Sequence, residues 1–148
     1  MKALVTHRRA RFDFEILDTY EAGLELLGTE AKALRSGKGK LEGAHVIVRG
    51  GEAYLVGASI PAHQHANAPR GYEPERVRRL LLSREEIAEI RQKGDQKGLT
   101  IVPIMVYSNG RNIKLRIGVA RGKKKQDKRE TLKARTAKRD IERTLKHQ

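Results

Sequence analysis

Side chains able to do covalent chemistry are scarce in this chain of 148 residues. Five histidines and no cysteine are present, which excludes disulfides, thiol catalysis and cysteine-ligated metals. His63-Gln64-His65 sets two imidazoles on one side of an extended segment, but no carboxylate lies close by in sequence to complete a metal site. No metal and no cofactor are expected. Gly37-Lys38-Gly39-Lys40 has the outline of a phosphate loop, yet its glycine spacing and the residue after the lysine do not fit a Walker motif. No Gly-x-Ser-x-Gly elbow occurs. The chain therefore reads as a binding protein and not an enzyme. The one enzymatic alternative is an RNA-cleaving or RNA-modifying barrel that assembles His and Lys from distant positions.

What the chain has in abundance is positive charge. Lys and Arg number 32 against 18 Asp and Glu, a net of +14, so the expected partner is a polyanion. The excess is unevenly placed. Residues 121–148 carry 12 basic and 4 acidic side chains, +8 in all, with only Leu132, Ile141 and Leu145 as large aliphatics. Such a segment buries too little apolar area to offset its own ordering entropy. Its residues nonetheless favour helix, and Ala134, Ala137, Ile141 and Leu145 fall at steps of three and four. The expectation is a folded domain over 1–120 and a basic tail over 121–148, disordered alone and helical on a partner. A solubilising charge run is the alternative. No apolar run approaches the roughly 18–20 residues of a membrane span, and the start of the chain lacks a signal-peptide core. A soluble, cytoplasmic protein with no membrane contact is expected.

A surface for a polyanion needs a body to hold it, and residues 1–120 pattern mainly as β. Phe12, Phe14 and Ile16 alternate with Asp13, Glu15 and Leu17. A turn-like Tyr20-Glu21-Ala22-Gly23 then precedes an apolar run over 24–27. A short helix is expected over 29–35, capped by Thr29 and stopped at Gly37. Gly50-Gly51 separates two strands as a two-residue hairpin turn. Residues 60–79, with three prolines, read as a long irregular loop. Ser83 caps a helix ending near Gly98. Asn109-Gly110 joins the last two strands, with Ile113, Leu115, Ile117 and Val119 facing one way and Lys114 and Arg116 the other. Pro103 belongs at an edge or a bulge. About six strands with two or three short helices fit a closed antiparallel OB-like barrel, which leaves no exposed edges. A sandwich is the alternative.

Five blocks then occur in order: His7-Arg8-Arg9-Ala10-Arg11; Tyr20-Glu21-Ala22-Gly23; Gly28-Thr29-Glu30-Ala31-Lys32-Ala33-Leu34-Arg35-Ser36-Gly37-Lys38; Arg79-Leu80-Leu81-Leu82; and Gly122-Lys123-Lys124 with Asp127-Lys128-Arg129. Together they closely resemble the SsrA-binding protein (SmpB, small protein B) family of bacteria, from about Arg8 to Leu145. The resemblance implies a non-catalytic, OB-like RNA-binding protein with a basic tail. It implies binding to the tRNA-like domain of transfer-messenger RNA and delivery of that RNA to ribosomes stalled on messages lacking a stop codon. There the protein supplies the missing anticodon-stem half of an alanyl-tRNA, and the nascent chain is tagged for degradation. Alanyl-tRNA synthetase and elongation factor Tu are implied as partners only through the RNA. A small basic ribosomal or ribosome-assembly protein is the runner-up.

By the family pattern the RNA-binding surface includes His7, Arg8, Arg9, Arg11, Tyr20, Glu21, Lys32, Arg35, Lys38, Leu81 and Ser83. The tail segment for the ribosomal decoding site and empty message channel includes Gly122, Lys123, Lys124, Gln126, Asp127, Lys128 and Arg129. Arg and Lys suit phosphate oxygens. Glu21 could accept from a base edge, hold a neighbouring arginine, or cap the Tyr20–Gly23 turn. Leu81 is either a cover for an exposed base or a core residue. The six aromatics are assigned to the core, with Tyr20 open between core and stacking. His7 stands where relatives commonly have Asn, Ser83 where they have Asn or His, and Gln126 where they often carry a ring.

Overall fold

Two glycine turns build the sheet. In the computed structural model, which describes residues 1–64 and 68–123, β3 (His45–Arg49) and β4 (Glu52–Val56) close on an Arg49–Glu52 pair. Gly50 and Gly51 both take positive φ, 60° and 77°, as a type I′ turn requires. β6 (Leu99–Asn109) and β7 (Asn112–Gly122) close on an Asn109–Asn112 pair. The turn is thus Gly110-Arg111, one residue later than expected. Only Gly110 is left-handed, at φ 63°, the pattern of a II′ turn.

The chain order is β1 (Lys2–Thr6), α1 (Ala10–Asp13), β2 (Phe14–Leu24), α2 (Gly28–Arg35), β3, β4, β5 (Arg78–Leu81), α3 (Arg84–Gly94), β6 and β7. The seven strands form one antiparallel sheet in the order β1-β6-β7-β2-β5-β4-β3. No ladder joins the outer strands β1 and β3 among the described residues, so the sheet is not closed by hydrogen bonds. It curls instead: β3 returns to β6, and α3 packs against both. The apolar core comes from the inward faces of the strands and from Ala33 and Leu34 of α2 and Ile87 and Ile90 of α3.

Several expectations on the strands need correction. Tyr20-Glu21-Ala22-Gly23 is no turn; it lies inside β2, whose pairing with β7 runs from Phe14–Gly122 to Gly23–Lys114. Tyr20 and Ala22 are buried and Glu21 is exposed, the alternation of a strand. The register shifts between Ile16 and Asp18, which leaves Leu17 exposed. Residues 25–27 are not a strand, and Phe12 belongs to α1 rather than β2. β7 continues two residues past Ala120. Pro103 sits at a register shift of β6 against β7, where a missing N–H costs no ladder bond.

α2 begins at Gly28, one residue earlier than expected, with its N-cap at Leu27, two residues before Thr29, and Glu30 Oε1 accepts from the Leu27 N–H at 2.8 Å. Thr29 is inside the helix, and its hydroxyl accepts from the His63 N–H at 2.8 Å. At the other end Gly37 (φ 76°) donates to Leu34 O and Lys38 to Ala33 O, 2.9 and 3.0 Å. That is a Schellman motif. Gly37-Lys38 is therefore a helix terminator rather than a phosphate loop. α3 has the Ser83 cap as expected, Ser83 Oγ accepting from the Glu86 N–H at 3.1 Å, but it ends at Gly94.

The proline-bearing segment before β5 is pinned by a buried ion cluster. Glu30 and Arg78 are both fully buried. Arg78 donates to Glu30 Oε2 through Nε (2.9 Å) and Nη2 (2.6 Å), and to the carbonyls of Ala58 and Pro74 at 2.8 Å. Arg76 pairs with the same carboxylate. Tyr72 donates to Ile60 O at 2.6 Å. The carboxylate of α2 thus ties down Arg76 and Arg78 at once, and the Tyr72 hydroxyl lies 3.1 Å from its Oε2. The tail expectations on Lys124, Gln126, Asp127, Lys128 and Arg129 fall on residues outside the described ones, as does His65.

Candidate nucleic-acid interface

Lys114 and Arg116 alternate with the core residues Leu115 and Ile117 along β7, so they stand on the sheet face away from the core. Glu21 is directly across from Arg116 in β2. Its carboxylate accepts from Arg116 Nε and from the Tyr107 hydroxyl, both at 2.7 Å. The Arg116 guanidinium lies over the Tyr107 ring, 5.7 Å from its centroid. Burial and the adjacent Glu21 carboxylate push the Tyr107 hydroxyl up to about 12. Of the three options for Glu21, the geometry is that of a carboxylate holding an arginine. Tyr107→Phe removes a hydrogen bond to a charged acceptor and should lower stability by about 1.5 kcal/mol; an unchanged urea midpoint would show that bond contributes nothing.

The same ribbon leads to Arg35, Leu81 and Gly23. Leu81 is 49% exposed. It packs over Gly23, where an added Cβ would come within 3.1 Å of the Leu81 Cβ, so the glycine makes room for the leucine. Arg35, at the end of α2, donates through Nη2 to Arg111 O at 2.7 Å. Lys32 and Lys38 are exposed near the same helix.

A second basic group lies at the far end of the ribbon. Between Gly23–Lys114 and Phe14–Gly122 the strands advance about 30 Å. There Arg9 pairs with Asp13 (3.6 Å) and stands over Phe12, and the Arg8 N–H donates to Glu42 at 3.3 Å. Lys123 donates through its N–H to Asp13 O and through Nζ to Arg11 O, both at 2.9 Å. Gly122 still pairs with Phe14 and has an ordinary φ. His7 is buried, 3.0 Å from Pro103 O through Nδ1. Arg9 thus stands at the Phe14–Gly122 end of the ribbon, whereas Arg8 also lines the groove between β1 and the end of α2, beside Gly37 and Lys40.

Two further positions are engaged internally. Tyr20 is buried between β2 and α3; its hydroxyl donates to Glu89 (2.9 Å) and accepts from Lys93 (2.8 Å). Lys93 also donates to Asp18 at 2.8 Å, and this bond holds the Lys93 ammonium well above its ordinary range. The Ser83 hydroxyl is 3.0 Å from Glu86 Oε1 as well as capping α3. Sequence reasoning missed Tyr107, Arg111, Lys114 and Arg116 as neighbours of the site. The outward alternation of Lys114 and Arg116 was the available signal.

The profile of the SmpB protein family matches residues 4–147. The chain belongs to the SmpB family. Among its relatives, the SsrA-binding protein of Synechococcus sp. (strain JA-3-3Ab) is 48% identical over 146 residues, covering 99% of this chain and 95% of the relative. The SsrA-binding protein of Gloeobacter violaceus (strain ATCC 29082 / PCC 7421) is also 48% identical, with 98% and 95% covered. A chain from a solved structure described as "tmRNA-SmpB: a journey to the center of the bacterial ribosome" superimposes with a TM-score of 0.69. It is 41% identical, with 86% of this chain and 92% of that chain covered. The SmpB family likeness thus takes in the Glu21 cluster, the Arg35–Leu81 region and the start of the tail together.

Proposed function

We propose that this chain binds the tRNA-like domain of transfer-messenger RNA and carries it to stalled ribosomes for trans-translation. The observation that carries this reading is the family match from residue 4 to residue 147, which spans both the domain and the tail. The chain performs no chemistry of its own. Alanyl-tRNA synthetase and elongation factor Tu act on the RNA, so they meet this protein only through it. The site of action is the cytoplasm. The curled sheet, with α3 filling the gap between β3 and β6, serves as an OB-like barrel closed by side-chain packing. The Arg35–Leu81 end receives the RNA, and the tail beyond Lys123 enters the decoding site and empty message channel.

The test is the RNA that copurifies with the chain from cells. One abundant tRNA-like RNA is expected; stoichiometric ribosomal RNA alone would support the small ribosomal-protein reading and overturn this one. A chain stopped after Lys123 keeps β7 whole and should still bind the RNA while losing peptide tagging.

Arg35→Ala should weaken RNA binding and reduce the magnitude of the salt slope by about one phosphate's worth. Titrations at several salt concentrations measure this. Weaker binding with an unchanged slope would assign Arg35 to base contact or to bracing the Arg111 turn.

A further inference from the structure

The point where the chain leaves the sheet is held from the opposite end of the sequence. His7 is buried, while Arg8, Arg9 and Arg11 beside it are exposed. Its N–H donates to Ile104 O at 2.8 Å, and its Nδ1 lies 3.0 Å from Pro103 O. A carbonyl only accepts, so Nδ1 carries the proton and donates. Both bonds go to β6. His7 O in turn accepts from the Ala10 N–H at 3.2 Å, and Ala10 is itself buried. The start of α1 is thereby fixed to β6.

The other end of α1 grips the root of the tail. Phe12 and Asp13 donate their N–H groups to Arg9 O, at 3.1 and 2.8 Å, and Arg9 pairs with Asp13 and lies over Phe12. The last carbonyls of a helix find no partner within it. Lys123 takes two of them, its N–H donating to Asp13 O and its Nζ to Arg11 O, both at 2.9 Å. Without that grip many directions are open. Gly122 brings no side chain to restrict the chain, and nothing lies within 4 Å of where its Cβ would stand. Beside it opens a groove of about 750 Å³ whose lining includes His7, Arg9, Thr100 and Val102, into which an unheld chain can turn.

We propose that His7 and Lys123 are positioning residues for the tail. His7 sets α1 on β6, α1 sets Lys123, and Lys123 sets the direction in which the chain leaves the sheet. His7 then acts without touching a partner, although the family pattern counts it in the RNA-binding surface. The inference rests on the reading of the tail as the part that enters the decoding site, and adds what aims it there. An ammonium that donates to a carbonyl keeps its charge, so Lys123 still counts among the tail cations.

The coupling is read first in the free full-length chain, by hydrogen exchange in NMR spectra. The residue-123 amide should exchange about tenfold faster in His7→Ala than in the parent, while the Leu115 and Ile117 amides of β7 keep their rates and show the sheet intact. The consequence is read as peptide tagging on stalled ribosomes, at transfer-messenger RNA saturating for each variant. Tagging should fall about tenfold in His7→Ala and in Lys123→Ala, and no further in the double variant, because both break one path. His7→Asn, which keeps a donor for Pro103 O, and Lys123→Arg, which keeps one for Arg11 O, should restore it. Lys123→Ala, at the end of β7, carries the test if His7→Ala unfolds. Parent-level tagging in Lys123→Ala, losses that multiply in the double variant, or a residue-123 amide indifferent to His7→Ala would overturn the proposal. A parent chain that binds no transfer-messenger RNA would overturn the underlying reading instead, and the exchange measurement, made without RNA, tells the two failures apart.

Discussion

Replacing Glu30 by Ala should cost this protein about 3–5 kcal/mol, because it leaves a buried guanidinium without its counter-charge. Arg78 has no solvent exposure, and the Ala58 and Pro74 carbonyls that would remain carry no full charge. The cost is a large part of a typical margin of about 5–15 kcal/mol. Arg76 would also lose its partner, freeing the loop that Tyr72 and Arg78 hold against α2. Glu30→Gln, which keeps the shape and loses the charge, should fall between parent and Ala. The effect carries a pH signature. Burial disfavours the Glu30 carboxylate, but Arg76, the Leu27 N–H and Arg78 outweigh it and hold the group below its ordinary value of 4.5. A depressed folded value means the stabilisation is complete above about pH 4.5 and is lost as pH falls through the folded value. Urea midpoints of parent and Glu30→Ala should therefore converge in acid. A gap that stays constant from neutral pH to pH 3 would show that ionisation of Glu30 contributes nothing.

The largest functional effect is expected in the tail. Replacing both Lys128 and Arg129 with Ala should leave transfer-messenger RNA binding within a few-fold of the parent while peptide tagging collapses. In a decoding site without a codon, a tail must stand in for the codon–anticodon duplex. Cations against ribosomal-RNA phosphates can do this, and Lys123, Lys124, Lys128 and Arg129 supply them. Under the proposed reading, the Asp127 carboxylate would cap the amides of Arg129 or Glu130 once the tail turns helical on the ribosome. Under that reading, ribosomal contacts would offset the entropy of ordering the segment. A generic charge run would behave differently: moving the two charges to Gln126 and Thr136 would preserve tagging. Normal tagging from a tail of equal charge but scrambled 122–129 order would sink the claim.

The hairpins, the Ser83 helix and the outward Lys114–Arg116 stripe were legible because each rests on local chemistry. Paired glycines suit a I′ turn, a leading glycine suits a II′ turn, and a Ser-x-x-Glu box caps a helix. What was not legible depended on distant partners. β5 contains two arginines in four residues, and it can lie inside the sheet only because Glu30, 48 residues away, neutralises Arg78. Tyr20–Gly23 resembled a turn because glycine there has a second use, admitting Leu81 from the neighbouring strand. β1 buries only Val5 and so shows no alternation to declare it until β6 pairs with it. At the site, Arg35 and Leu81 were read by resemblance, and periodicity carried no sign that Arg111 stands beside them. That contact is a helix end meeting a hairpin tip, 76 residues apart.

The two eleven-residue strands β2 and β7 bear on more than packing. They run side by side from the Arg35–Leu81 end to the point where Lys123 is moored on Asp13 and Arg11. Under the proposed reading, RNA is held at one end of this ribbon and the ribosome is reached from the other. The ribbon is then a ruler of about 30 Å, stiffened by the β6 ladder along the β7 flank and by β5 at the Gly23–Leu24 end of the β2 flank. Beyond Lys123, the five residues to Lys128 can add at most about 18 Å. Under that reading, the span between the bound RNA and the decoding site would be set by strand length and tether length. Residues that touch neither partner decide whether both can be engaged at once.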